Sequence, residues 1–209
     1  MPPVRLRLTR ETEREAVERA AATLRGGGIA LLPAEGVYGF HALASSEPAV
    51  ERLRAMKARA PERGFIGLLA RAEDLDAYAE APRLALDLAS AHWPGPLTLV
   101  LAARPDAPNA LRASDGTIAL RCPGSEFLRA VVAATGGLVL STSANEPGSP
   151  PAVRLDAVAA DFYDLGIDGG DLSGIPSTLV RVVSGHLKVL RAGAVRIAEP
   201  PLDDGAVPP

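Results

Sequence analysis

Cysteine is nearly absent from this sequence: Cys122 is the only one among 209 residues. A disulfide framework and any metal site built from several thiolates are thereby excluded, and a reducing cytoplasm suits the chain. Long apolar runs are missing too. The run from Leu97 to Ala103 falls far short of the ~18 residues that a membrane helix needs, and the N-terminal MPPVRLRLTR carries charge where a secretory signal carries an apolar segment. Nor is there a surplus of positive charge. Against 25 acidic side chains stand 22 basic ones, a formal net charge of −3, so no global field draws nucleic acid and any anion site must be a local cluster of cations. Lysine is scarce, with Lys57 and Lys188 the only two. Familiar chemical signatures are lacking as well: there is no G-x-x-x-x-G-K-[ST] phosphate loop, no G-x-G-x-x-G after a strand, no H-E-x-x-H and no G-x-S-x-G. His41, His92 and His186 are too scattered for a zinc site.

What is present is globular: 47% hydrophobic and 22% charged residues, with 20 glycines and 19 prolines that imply many ordered loops. Helical and strand-like segments alternate. Thr9 begins a helix with Val17, Ala20, Ala21 and Leu24 on one face and Gly26 to Gly28 at its end. Ser46 begins another, with Pro48 in the first turn and Val50, Leu53 and Met56 inward. Shorter helices are expected over Asp74 to Ala79, Pro82 to Ala91, Ser125 to Ala134 and Asp156 to Phe162. Strands are expected at Ile29 to Leu32 (stopped by Pro33), Phe65 to Leu69, Leu97 to Ala102, Thr117 to Leu120 and Leu138 to Leu140. Leu179 to Val183 and Leu187 to Leu190 flank Ser184-Gly185 as a hairpin. The pattern predicts one α/β domain over residues 1–198, a mixed sheet with flanking helices, then a loose Pro- and Asp-rich tail over 199–209.

Polar and basic clusters fall at the ends of these strands. Ser141-Thr142-Ser143-Ala144-Asn145 crowds hydroxyls, an amide and backbone N–H groups after an apolar strand, which makes either an ordinary turn or an anion-binding concavity. Lys57, Arg59 and Arg63 follow the Ser46 helix, where cations either complement the helix dipole or clamp a polyphosphate. Thr117, Ala119 and Arg121 share one strand face, and an arginine continuing an apolar strand needs a partner, internal or a bound carboxylate. Pro176-Ser177-Thr178 precedes the hairpin and Arg191 ends it, before Gly193. In Pro33-Ala34-Glu35-Gly36-Val37-Tyr38-Gly39, read as a loop, Glu35 either faces solvent or orients a cation or an amine.

Taken in order, these clusters resemble the YrdC/TsaC family of threonylcarbamoyl-AMP synthases. The family pattern runs P-T-x-x-V-[YF]-G, K-x-R with a further basic residue four positions on, W-P-G-P-x-T, x-V-R-x-P, S-T-S-A-N-x-x-G, P-S-T and L-R-x-G. Its counterparts here are Pro33 to Gly39, Lys57/Arg59/Arg63, Trp93 to Thr98, Arg121-Cys122-Pro123, Ser141 to Gly148, Pro176 to Thr178 and Leu190 to Gly193. The resemblance covers roughly residues 10–195 and is to the short, single-domain form. It implies a twisted sheet with a concave basic cavity. It also implies a nucleotidyltransferase reaction in which L-threonine, bicarbonate and ATP give threonylcarbamoyl-AMP and pyrophosphate. Mg²⁺ would enter with the ATP, not at a dedicated protein site. A downstream transferase complex would use the product to modify tRNA, and double-stranded RNA binding is a further property associated with the family. By position, Lys57, Arg59, Arg63, Thr117, Asn145 and Arg191 would hold ATP, with Lys57 and Arg59 catalytic. Arg121, Ser143, Ser177 and the loop at Gly36 would hold the amino acid. The chain departs from the pattern at Ala34 and Gly36, where both positions can be threonine, at His41-Ala42-Leu43, where small residues are usual, and at Gly67.

Overall fold

The computed structural model describes residues 3–57, 64–146 and 148–198. In chain order its elements are β1 (Val4–Arg7), α1 (Glu13–Arg25), β2 (Ala30–Ala34), β3 (Val37–Leu43), α2 (Glu47–Met56), β4 (Ile66–Leu68), β5 (Ala79–Glu80), α3 (Arg83–His92), β6 (Leu97–Ala103), β7 (Thr117–Arg121), α4 (Glu126–Thr135), β8 (Val139–Ser143), β9 (Leu165–Asp168), β10 (Thr178–Val183) and β11 (His186–Arg191). The strands form one mixed sheet in the order β1-β9-β2-β3-β8-β4-β7-β6-β10-β11, with β5 pairing alongside β6. The tail over 199–209 lies outside the described residues.

The longer helices form where the apolar periodicity places them, whereas the segment expected as a helix over Asp74 to Ala79 is a 3₁₀ helix over Ala72–Ala77 followed by β5. Thr9 supports the start of α1 rather than capping it directly, because its hydroxyl bonds Thr12 at the cap position. Ser125 caps α4, its Oγ accepting from Leu128 N at 3.2 Å, and Gly136 closes that helix at a φ of 68°. The segment 156–162 forms two short 3₁₀ turns rather than a helix, with Val158 and Ala159 extended between them.

Strands β1, β3, β5 and β9 have no counterpart among the expected strands. β3 is buried along nearly its whole length, so VYGFHAL shows no polar alternation to betray it. Pro33 does not stop β2. It stands opposite Tyr38, whose N–H goes to Ala152 O, and pairing of β2 with β9 has ended at Leu31, so the missing proline N–H costs no ladder bond.

Helices α1 and α4 pack on one face of the sheet, their Ala20, Leu24, Phe127 and Val131 against Leu32, Val139 and Ile167. On the opposite face α2 and α3 cover Phe40, Ala42, Leu99 and Leu101. Side chains alternate along a strand. Gly39 and His41 of β3, Ile66 of β4, Ala119 and Arg121 of β7, and Ser141 and Ser143 of β8 therefore share the face with α1 and α4. Where those two helices stop covering the face, it is open.

Candidate active site

That open face forms a cavity of about 490 Å³. Lys57, Arg121, Ser143, Asn145, Ser177 and Arg191 line it, together with Gly39, Ile66, Ala119, Ser141 and Leu179. Six of the expected site residues, drawn from five separate motifs, thus meet in one hollow. Thr117 and Gly36 lie outside the lining: the Thr117 hydroxyl donates to Asp115 at 2.6 Å, and Gly36 faces the Ile175 carbonyl, which would stand 1.9 Å from a Cβ. Arg59 and Arg63 lie outside the described residues.

Each motif fixes another. Lys57, at the C-terminal end of α2, donates through Nζ to Ser143 O at 3.1 Å, Asn145 O at 2.6 Å and Asn145 Oδ1 at 2.8 Å. Asn145 Oδ1 also accepts from Ser143 Oγ, and its Nδ2 donates to Ser149 O. Ser141 to Ser143 belong to β8 itself, so only Ala144 and Asn145 form the turn. On the far wall Arg191 donates to Ser177 O at 2.8 Å and to Ser177 Oγ at 3.1 Å, and the Ser177 hydroxyl meets Thr98 Oγ1 at 2.9 Å. Thr98, the last residue of the W-P-G-P-x-T segment, carried no separate expectation; its place in that segment was the signal, and its hydroxyl is buried. Gly193 lets this wall close, since a Cβ there would stand 2.4 Å from Pro176 O.

Arg121 is 7% exposed at the end of β7. Its Nε donates to Gly95 O at 3.1 Å and its Nη2 pairs with the Glu35 carboxylate. Glu35 holds a φ of 65° in the β2–β3 turn, a conformation that costs a non-glycine residue roughly 1–2 kcal/mol. The carboxylate also accepts from Gly124 N and Ser125 N, before α4. The internal partner expected for Arg121 therefore exists, and it is Glu35. Burial lowers the pKa of both Arg121 and Arg191, Glu35 opposing the shift at Arg121. Both stay cationic, and the charge of the buried Arg121 is screened less than that of a surface group.

A second hollow, of about 460 Å³, lies at the opposite edge of the sheet beside β1. Three arginines and three aspartates line it: Arg7 pairs with Asp168 and Arg154 with Asp156 and Asp171, while Arg5 lies over the Tyr163 ring, so the charges balance within the hollow. Among the described residues no cluster of three His, Cys, Asp or Glu is placed to hold a metal ion, and no helix is long and apolar enough to cross a membrane.

Cations, hydroxyls and an amide on the bare face of a twisted mixed sheet define an α/β protein built to hold a small anionic ligand. The family model Sua5_yciO_yrdC, described as telomere recombination, matches residues 22–193, and the chain belongs to this family. A relative from Alkalilimnicola ehrlichii, named threonylcarbamoyl-AMP synthase, is 34% identical over 88% of this chain and 99% of its own length. One of the same name from Klebsiella pneumoniae is 34% identical over 83% of this chain and 94% of its own. The structure of Pyrococcus abyssi Sua5 complexed with L-threonine aligns with a TM-score of 0.81 at 30% identity, covering 92% of this chain and 58% of that longer one. Escherichia coli YciO, 24% identical, shares the fold at a TM-score of 0.82, covering 91% of this chain and 94% of that one.

Proposed function

We propose that this chain is a threonylcarbamoyl-AMP synthase, an enzyme of the nucleotidyltransferase type. The carrying observation is the convergence of Lys57, Arg121, Ser143, Asn145, Ser177 and Arg191 on one cavity; the names of the relatives and the threonine held by the Pyrococcus protein support the same reading. L-Threonine and bicarbonate give a carbamate and water. A carbamate oxygen then attacks the α-phosphorus of ATP as the bond to the pyrophosphate oxygen breaks. Little covalent work falls to the protein, which must align the two oxygens and neutralise the charge that gathers on pyrophosphate.

Lys57, Asn145 and Arg191 are assigned to the triphosphate, Arg59 and Arg63 join them by their positions in the family pattern, and Lys57 and Arg59 are the catalytic cations. Arg121 receives the threonine carboxylate with the donors that Glu35 and Gly95 leave to the cavity, and Ser143 and Ser177 complete the amino-acid site. Gly36 serves from behind the wall by letting Ile175 approach, while Thr117, bonded to Asp115, is given no part in holding ATP. Among the described residues no carboxylate lines the cavity, and Glu35, behind the lining, is committed to Arg121. Mg²⁺ is accordingly assigned to MgATP as substrate. Exclusion of water protects the carbamate, which decomposes when hydrated. The product is destined for tRNA by way of a downstream transferase complex.

The test is pyrophosphate release from MgATP that requires both threonine and bicarbonate, with mass spectrometry of the adenylate. Lys57→Ala is expected to lower the rate about 100-fold or more. Binding of ATP without release of pyrophosphate in the presence of any amino acid sinks the assignment.

A further inference from the structure

His41 is fully buried on β3. Across the sheet it pairs with Ala30 on β2 and Ser141 on β8, and the same row runs on through Ile66 of β4 to Ala119 of β7. Ser141, Ile66 and Ala119 all line the cavity. The imidazole leans along its strand over Gly39, a further lining residue: a Cβ at that glycine would stand 3.0 Å from His41 Cε1. Its Nε2 stands 3.3 Å from Ser141 Oγ. Burial pushes the His41 pKa down to about 4, the Arg121 cation acting in the same direction, so the ring is neutral at pH 7.

A neutral imidazole carries one donor and one acceptor nitrogen. Whichever of these faces Ser141, one bond of that hydroxyl is taken up inside the protein and its remaining capacity is directed into the cavity. The ring also packs over Gly39, behind the cavity lining, so a substrate side chain reaching past Gly39 would meet the imidazole.

We propose that His41 determines which amino acid the cavity accepts, orienting the Ser141 hydroxyl toward the substrate side chain and limiting, by its bulk, the length of that side chain. This inference rests on the synthase reading. A β-hydroxyl on the substrate then finds a partner in Ser141, whereas valine, of the same shape, leaves that hydroxyl without a partner from the substrate. His41 acts through Ser141 and is a positioning residue.

The experiment measures kcat and KM for pyrophosphate release from MgATP and bicarbonate with threonine, valine or leucine, in the unaltered protein and in His41→Leu, His41→Gln, His41→Gly and Ser141→Ala. The threonine-over-valine ratio of kcat/KM is expected to fall ~10-fold or more in His41→Leu and in Ser141→Ala. The change should fall mainly in the KM for the amino acid, with the KM for ATP unmoved. His41→Gln, whose amide reaches the place of Nε2, should retain the ratio, and His41→Gly should gain activity with leucine. An unaltered ratio in both His41→Leu and Ser141→Ala overturns the inference, as does an equal rise in the KM for ATP. If His41→Leu does not fold, Ser141→Ala and His41→Gln make the same decision. No release with any amino acid by the unaltered protein overturns the synthase reading and this inference with it, whereas release with an unaltered ratio overturns this inference alone.

Discussion

Arg121 and Glu35 carry the strongest electrostatic commitment in the cavity wall, because a guanidinium so deeply buried depends on its carboxylate. Replacing Glu35 with glutamine keeps the shape of the turn but leaves the cation facing an amide. The expected cost is about 3 kcal/mol of folding stability, read as a lower urea midpoint, together with a raised KM for the amino acid as Arg121 loses its anchor. Side-chain truncation alone does not predict that joint change. Much of this was legible at the level of single residues: an arginine continuing the apolar strand Thr117 to Leu120 had to find an anion, and Glu35 was a stated candidate for orienting a cation. Their pairing was not legible, because nothing local reports that the β2–β3 turn reaches the start of α4. His41 was equally opaque, a departure from the family pattern until the register across β3 and β8 set it beside Ser141.

At the scale of elements, the closing hairpin was readable and the middle of the sheet was not. Alternating apolar residues around Ser184-Gly185 announced β10 and β11. β3 was hidden because a strand buried on both faces lacks the period-two signal, and Pro33, Gly36 and Gly39 read as turn residues when two of them stand within strands. The hairpin also sets a test. Gly193 follows β11, and a Cβ there meets Pro176 O, Ser177 C and Thr178 N within 2.6 Å, all of them backbone atoms that cannot swing aside. Gly193→Ala is expected to push β11 away from Ser177, lowering stability by about 1–3 kcal/mol and raising the KM for ATP as Arg191 loses its hold. A variant with unchanged melting and unchanged KM refutes that account of the wall.

For the molecule as a whole, α/β alternation foretold the mixed sheet with flanking helices, but neither their division between two faces nor the strand order. Parallel neighbours such as β1 and β9, or β6 and β10, are brought together by long connections that leave no local trace. Global stability carries one pH signature of this architecture. His41 has a folded pKa of about 4 against an unfolded value of 6.5, so the unfolded chain binds the extra proton over that interval. Stability should therefore fall as pH drops from 6.5 toward 4, by on the order of 3 kcal/mol from this residue. His41→Gln should flatten that part of the curve; equal slopes in the two proteins, followed by urea unfolding at a series of pH values, contradict it.

The two walls of the cavity come from widely separated parts of the chain, and Arg191 is translated after every other residue that lines it. A polypeptide still emerging from the ribosome with β10 just exposed already carries Lys57, Arg121 and Asn145, yet Ser177 has no guanidinium to meet. The far wall of the cavity is thus complete only when the last described strand has cleared the exit tunnel and laid itself against its neighbour, and on the proposed assignment a nucleotide can be gripped no earlier.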